Sequence, residues 1–134
     1  MYDVKVYDRN TEANRQLSPH IQVHEVACGD GSRPVFISQT LIDILENIRV
    51  HFGAPLHINS GYRTVSYNAS VKGSSPKSQH CSGLAADIWV EGHTPAEVYA
   101  YADQLLGNHG GLGIYNTFVH VDVRADKSRF DYRT

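Results

Sequence analysis

The chain has few cysteines, a single tryptophan and no long apolar run. Cys28 and Cys81 are the only thiols among 134 residues; they are too few and too far apart for a disulfide framework, and we expect both to be free. No stretch approaches 18 consecutive apolar residues, so no membrane segment is predicted. The first eight residues have neither the basic nor the apolar region of a signal peptide. We therefore expect synthesis in the cytoplasm without a signal peptide.

An excess of charge of either sign is also absent. Twelve Lys and Arg against fourteen Asp and Glu give a net charge of -2, spread without long runs, which argues against nucleic acid and anionic membranes as partners. With 134 residues, 41% of them hydrophobic, the chain can bury one ordinary core. We expect a single domain over residues 1–134 and favour a monomer.

Two helices are predicted by their end signals and apolar period. The first helix has Ser38 as its candidate N-cap and ends at Gly53. Its apolar residues recur at intervals of three and four, and they are Leu41, Ile44, Leu45, Ile48 and Phe52. Thr94-Pro95-Ala96-Glu97 opens the second with a threonine cap, a first-turn proline and a glutamate three after the cap. Gly107 ends it, and its predicted buried stripe is Val98, Tyr101, Ala102 and Leu105.

Short strands account for much of the rest. The first 35 residues show no sustained period and are predicted to be an irregular lead-in. Strands are predicted over 56–60, 84–90, 111–115 and 118–123, with a hairpin turn at 116–117, a brief helix over 65–71 and a break at Gly73-Ser74-Ser75-Pro76. Helices and strands are mixed without a regular βαβ rhythm. The predicted fold class is therefore α+β, with a small, mostly antiparallel sheet and two main helices.

A group of two histidines and an aspartate carries the chemistry. Strand alternation places Asp87 opposite the aliphatic side of its strand, and places His120 on one face with Asp122. With His80 they supply two imidazoles and a carboxylate, which can hold zinc tetrahedrally and leave a fourth position open for water. Spacing alone also fits structural histidines on strands. Asp122 could orient His120 or act on the bound water.

The surrounding residues strengthen the metal interpretation. The pattern His80-x-x-Gly83-x-Ala85-x-Asp87, followed by Phe-Val-His-Val-Asp over 118–122, resembles the M15 zinc peptidases, which include D-alanyl-D-alanine carboxypeptidases and phage L-alanyl-D-glutamate endopeptidases. The metal-binding core of hedgehog domains is similar. Asn59-Ser60-Gly61-Tyr62-Arg63-Thr64 and Gly111-Leu112-Gly113-Ile114-Tyr115 also resemble M15 segments. The likeness runs from about residue 17 to 124 and implies a hedgehog/DD-peptidase-like fold.

Carried over to this chain, the resemblance implies specific roles. His80, Asp87 and His120 become zinc ligands, and Arg63 is placed to hold a substrate carboxylate or carbonyl. Two further substrate-contacting residues are expected, Ser78 beside the ligand loop and Tyr115 at a groove. A surface position for Arg63 and a plain turn role for Ser78 remain the alternatives.

The chain departs from many M15 enzymes at the catalytic carboxylate. Three residues before His120 these enzymes carry Glu or Asp, and here that position is Thr117, which cannot be a general base. The nearest carboxylate is Asp122, as in a His-x-Asp subgroup. Asp122 is therefore the predicted catalytic residue, in a base or orienting role, and His109 is the competitor.

The expected function is zinc-dependent peptidoglycan hydrolysis. The substrate would be a stem-peptide amide bond, cut by an L-Ala-D-Glu endopeptidase or a D,D-carboxypeptidase or endopeptidase, for wall lysis or remodelling. The enzyme would reach the wall after release through a holin-like route or at lysis. The alternative is a non-catalytic zinc module that binds cell wall or protein, and a purely structural zinc domain is a third possibility.

Overall fold

The computed structural model describes residues 3–71 and 78–134. In these residues the strands are β1 (Val4–Asp8), β2 (Gln16–Ser18), β3 (Ile21–Gln22), β4 (Pro34–Ser38), β5 (Leu56–Ser60), β6 (Ala85–Val90), β7 (Gly111–Ile114), β8 (Val119–Asp122) and β9 (Ser128–Asp131). The helices are α1 (Arg9–Glu12), α2 (Gln39–Phe52), α3 (Val65–Ser70) and α4 (Pro95–Leu106), with 3-10 helices at Val23–Val26 and Gln79–Ser82. The predicted break at Gly73–Pro76 lies outside the described residues.

A five-stranded sheet forms the centre of the fold. Its strand order is β5-β6-β8-β7-β9, and its first three pairings are antiparallel while β7 and β9 are parallel. The predicted hairpin joins β7 to β8, and the Tyr115 N–H donates to the Phe118 carbonyl at 3.0 Å. The α+β class with a small, mostly antiparallel sheet is confirmed.

Both predicted long helices form and begin at the predicted caps. The Ser38 hydroxyl accepts the Leu41 N–H at 3.3 Å, and Gly53 ends α2 with a φ of +60°. The Thr94 hydroxyl accepts the Glu97 N–H, and the Glu97 carboxylate accepts the Thr94 N–H. In α4 the buried residues are Val98, Ala102 and Leu106, whereas Tyr101 and Leu105 are only half-buried.

The two faces of the central sheet differ in chemistry, as strand alternation predicts. One face contributes Ala86, Ile88, Val119 and Val121, all fully buried, to a core shared with α2 and α4. The other face carries Asp87, His120 and Asp122. The polar face is therefore built on a rigid layer whose far side is packed with aliphatic side chains.

The prediction of an irregular lead-in over the first 35 residues is wrong. Strand β1 pairs antiparallel with β4 from Val4–Ser38 to Asp8–Pro34, and β2 pairs with β3. These strands have two to five residues each, which is too short for a period to stand out. In addition, β1 pairs with a strand far along the chain, and the pairing of β2 with β3 has an irregular register. Strand β9 was also missed. Within the part of the chain described, no helix has the length and apolar character needed to cross a bilayer.

Candidate metal centre

Three side chains converge on the polar face of the central sheet. Asp87 of β6 is paired directly with His120 of β8, and His80 arrives from the 3-10 helix that precedes β6. Asp87 Oδ1 lies 3.3 Å from His80 Nε2 and 3.1 Å from His120 Nδ1. Because metal–nitrogen distances at zinc are about 2.0–2.1 Å, ligand atoms of a tetrahedral site lie roughly 3.3 Å apart. The three residues could hold a metal ion, with one ligand atom from each within 4.8 Å of the others.

Each imidazole has its second nitrogen held by an acceptor. His80 Nδ1 lies 2.8 Å from the Gly61 carbonyl oxygen, which can only accept, so Nδ1 carries the hydrogen. His120 Nε2 lies 2.7 Å from Asp122 Oδ2 and donates in the same way. In the neutral form of each ring, the lone pair then lies on the nitrogen that faces Asp87, which is the tautomer that a metal ligand requires. The donor set and its supporting hydrogen bonds fit zinc.

Gly61 and Gly83 allow the backbone around His80 to lie close to neighbouring elements of the fold. A Cβ on Gly61 would lie 2.7 Å from Val26 Cα, and one on Gly83 would lie 2.4 Å from the Phe36 carbonyl oxygen. Gly83 also has a φ of +73°, a conformation that glycine adopts without strain. These two glycines bring the backbone beside the triad into van der Waals contact with the core.

Asp122 is fully buried below His120 and both its oxygens are occupied. Oδ1 accepts the Gly111 N–H at 2.9 Å and the Arg124 Nε–H at 2.8 Å, and Oδ2 accepts Arg124 Nη2 at 2.7 Å as well as the His120 ring. A Cβ on Gly111 would lie 2.1 Å from Asp122 Oδ2. These contacts hold Asp122 against the side of His120 that points away from Asp87, and they favour the orienting role over direct action on water.

The charges of the centre stabilise one another. Burial raises the pKa of Asp87, but its contacts with His120 and His80, which are hydrogen bonds whenever a ring holds a second proton, outweigh burial and hold that pKa well below its usual value. The pKa of Asp122 is likewise lowered, because bonds from His120 and Arg124 outweigh burial. Burial lowers the pKa of His120, yet its bonds to Asp122 and Asp87 raise it overall. Both carboxylates therefore stay ionised at neutral pH.

Arg63 is buried rather than exposed on a turn. Its side chain is 9% exposed, and Nη2 lies 3.2 Å from Asp87 Oδ2, the oxygen that does not face the imidazoles. Nε donates to Ser60 Oγ at 2.9 Å and Nη1 to Asn68 Oδ1 at 3.2 Å. The guanidinium therefore fixes the carboxylate of Asp87 so that Oδ1 points to the two histidines.

The remaining predicted residues lie around the triad in different ways. The Ser78 hydroxyl accepts the His80 N–H at 3.2 Å, so it caps the turn that carries the histidine. Tyr115 stacks on Phe118 with ring centroids 4.3 Å apart, and burial, followed by the negative charge of Asp87, raises its pKa.

Thr117, which replaces the acidic residue of many M15 enzymes, and His109, the competitor to Asp122 as the base, both lie at the surface. Thr117 is exposed at the β7–β8 turn. His109 is exposed as well, and its ring lies 3.2 Å from the Ala125 carbonyl. Cys28 and Cys81 are both free, as expected from their number.

Sequence reasoning missed two contributors to this site. Arg124 binds Asp122, and Phe130 of β9 packs with its ring centroid 5.5 Å from that of His120. Arg124 stands two residues after Asp122, on the same side of an extended chain, and Phe130 alternates with Tyr132. The spacing was a usable signal for Arg124, whereas the position of Phe130 depends on the pairing of β9 with β7.

The chain was compared with known families and proteins. The family model described as Peptidase M15 matches residues 19–122, a stretch that contains the triad, Arg63 and Asp122. No curated protein matches the chain. Since the matched stretch is well over half of the 134 residues and includes a group able to bind metal, the chain belongs to the Peptidase M15 family and is a metallopeptidase.

Proposed function

We propose that this metallopeptidase is a zinc enzyme that hydrolyses an amide bond in the stem peptide of peptidoglycan. One observation carries the proposal: two imidazoles, each held in the ligand tautomer by its own acceptor, meet one carboxylate oxygen at 3.1–3.3 Å. The ligands we propose are His80, Asp87 and His120. Two histidines and one carboxylate are the protein ligands of several catalytic zinc sites, which keep their fourth position for water.

We propose zinc because it is commonly bound by imidazole and carboxylate ligands, and because three such ligands leave its fourth coordination position open. When bound, zinc lowers the pKa of its water ligand and polarises the scissile carbonyl. The other residues of the site hold the three proposed ligands in position. Asp122 keeps the hydrogen of His120 on Nε2, and we propose it as a positioning residue that acts through that imidazole.

Substrate contacts are proposed for Arg63, Ser78 and Tyr115. A guanidinium has five N–H groups, and three of those of Arg63 bind Ser60, Asn68 and Asp87. No described residue accepts a hydrogen bond from the other two, and we propose that they bind a carboxylate of the stem peptide, which a planar guanidinium recognises well. The Tyr115 ring lies on the same sheet face as the triad and can border the peptide.

Murein digestion tests this proposal. The full chain, incubated with purified murein sacculi, is expected to release soluble fragments whose masses, measured by mass spectrometry, identify the cleaved bond. Release should stop on chelation, return with added zinc, and be lost in His80→Ala. The matched control is His24→Ala, because His24 is exposed and its ring, within the described part of the chain, bonds to Gln22 alone. Equal digestion by His80→Ala and wild type would refute the proposal.

A second candidate function is a zinc-containing module that binds cell wall or protein without turnover. Thr117 favours it, because an exposed threonine stands where related enzymes carry an acidic residue. A chain that binds zinc and murein but releases no fragment over a long digestion supports the binding module. His109→Ala tests whether His109 is the catalytic base, since a loss of hydrolysis in this variant would assign the base to His109.

A further inference from the structure

A row of aromatic side chains crosses the central sheet beside the metal centre. It comprises one ring from each strand or its immediate end, in spatial order His57, Trp89, Phe118, Tyr115 and Tyr132. His57 pairs with Trp89, the Tyr115 N–H donates to the Phe118 carbonyl, and the Tyr132 N–H donates to the Ile114 carbonyl. The β6–β8 register, carried one residue beyond Ile88–Val119, brings Trp89 level with Phe118.

The aromatic row consists of two groups of contacting rings, one on each side of the step from Trp89 to Phe118, and it is partly open to solvent. The ring centroids of His57 and Trp89 are 4.2 Å apart and stacked, as are those of Tyr115 and Phe118 at 4.3 Å. Tyr115 and Tyr132 follow at 5.4 Å. Trp89 is 38% exposed and Tyr132 is 61% exposed, although large aromatic rings are favourable to bury. The row is thus a broad aromatic surface with no covering element among the residues described.

The aromatic row is continuous with the triad. Asp87 precedes Trp89 by two residues and His120 follows Phe118 by two, so each pair shares a face at a separation of about 7 Å. Five strands at a spacing of about 4.8 Å make the row about 19 Å long. A substrate whose scissile bond lies at the triad can therefore extend over these rings.

The chemistry of the row selects the class of ligand. Its edges carry neutral or mutually paired polar groups: Trp89 Nε1 donates to Asn59 Oδ1 at 3.2 Å, and His57 is paired with Glu91. Among the residues described, the row has none of the clustered cations that an anionic polymer requires. Stacked flat rings with hydrogen-bonding edges match sugars, whose rings have an apolar face and a rim of hydroxyl and amide groups.

We propose that the aromatic row binds the glycan strand of peptidoglycan while the attached stem peptide enters the metal centre. This rests on the proposed function for its biological substrate, but the binding itself requires no hydrolysis. Tyr132 lies beyond residue 122, the last residue matched by the family model, so this part of the row is a feature of this chain outside the matched stretch.

Trp89 is the only tryptophan of the chain, so its fluorescence reports on the row directly. We expect a saturable change in this fluorescence when a soluble β-1,4-linked N-acetylglucosamine oligomer is titrated into the full chain. Since an aromatic contact is worth about 0.5–1.5 kcal/mol, Tyr132→Leu should weaken the affinity about two- to tenfold. The matched control is Tyr99→Leu on α4, which packs against the opposite face, and its affinity should equal that of wild type.

Three results would overturn the glycan proposal. The first is no saturable fluorescence change with the oligomer, and the second is an unchanged affinity for the oligomer in Tyr132→Leu. The third is a fluorescence change with a sugar-free stem peptide but none with the oligomer. Calorimetry of Trp89→Leu provides a second test without the fluorophore, because binding should weaken there as well. An active peptidase that fails the oligomer titration refutes this proposal alone. A chain that binds the oligomer but cuts no murein refutes the proposed function alone.

Discussion

Replacing Asp122 by asparagine tests how the protein prepares a metal ligand. The carboxylate now accepts hydrogen bonds from Gly111, Arg124 and His120. An asparagine keeps one accepting oxygen, and the orientation that satisfies the Gly111 N–H and Arg124 Nε turns the amide NH2 toward the ring of His120. Two donors would then face each other.

The ring can relieve that conflict by moving its hydrogen to Nδ1, the nitrogen that faces Asp87. This tautomer blocks the lone pair that a metal would use. Loss of such an orienting partner typically costs 10- to 100-fold in metal affinity, or about 1.4–2.7 kcal/mol. We expect Asp122→Asn to bind zinc that much more weakly than wild type, while its metal-free form remains folded at a cost of about 1–3 kcal/mol in unfolding free energy.

The assay is a zinc titration of metal-free protein in competition with a chelating indicator, with circular dichroism and thermal unfolding as the check on folding. Asp131→Asn is the matched control, because Asp131 accepts bonds from Arg133 in the same Asp-x-Arg arrangement and contacts no imidazole among the residues described. Its zinc affinity should be unchanged. A folded Asp122→Asn that binds zinc within about twofold of wild type would show that this carboxylate does not set the tautomer.

Three other changes have expected outcomes. Arg63→Lys replaces a planar fork that makes three directional bonds, so murein digestion by the folded variant should fall at least about tenfold; full activity would show that the fork is dispensable. Burial raises the pKa of Glu46, but bonds from Ser18 and His20 lower it overall, so the stability that its carboxylate contributes is present above pH 4.5 and is lost as pH falls through the lowered pKa. Glu46→Gln should therefore unfold about 1–2 kcal/mol more easily at pH 7 in urea, with a difference that shrinks below pH 4.5; a constant difference would contradict this. Gly83→Ala should destabilise by more than the 1–3 kcal/mol expected for backbone strain, because its Cβ also meets the chain, whereas Gly92→Ala, at a φ of +76° in open space, should show the strain alone; equal losses in the two variants would refute the contact argument.

Several local features were predictable because short-range chemistry decides them. Ser38 and Thr94 cap helices with their own side chains, and Gly53 ends one with a left-handed backbone, so each signal lies within a few residues of its effect. Alternation along β6 and β8 separated Asp87 and His120 from the aliphatic positions next to them. The faces of these strands could therefore be assigned before their pairing was known.

Other features depended on partners far away in the chain. The pairing of β1 with β4 joins residues about 30 positions apart, and β9 is added parallel to β7, which no local pattern specifies. The exposed position expected as an alternative for Arg63 does not occur, because the residue is buried between Asn68 and Asp87. Such burial reflects the packing of whole elements.

The sequence by itself determined the fold class, the main helices and the family, because periodicity, capping and motif spacing are properties of neighbouring residues. It also named the three residues that meet in the candidate metal centre. Only the tertiary structure decided which nitrogen of each histidine faces Asp87, that Asp122 lies against His120 with both oxygens occupied, and that five rings from the strands or their ends line up across the sheet. These are relations across strands, and the register of a sheet is set by the packing of its buried face as a whole.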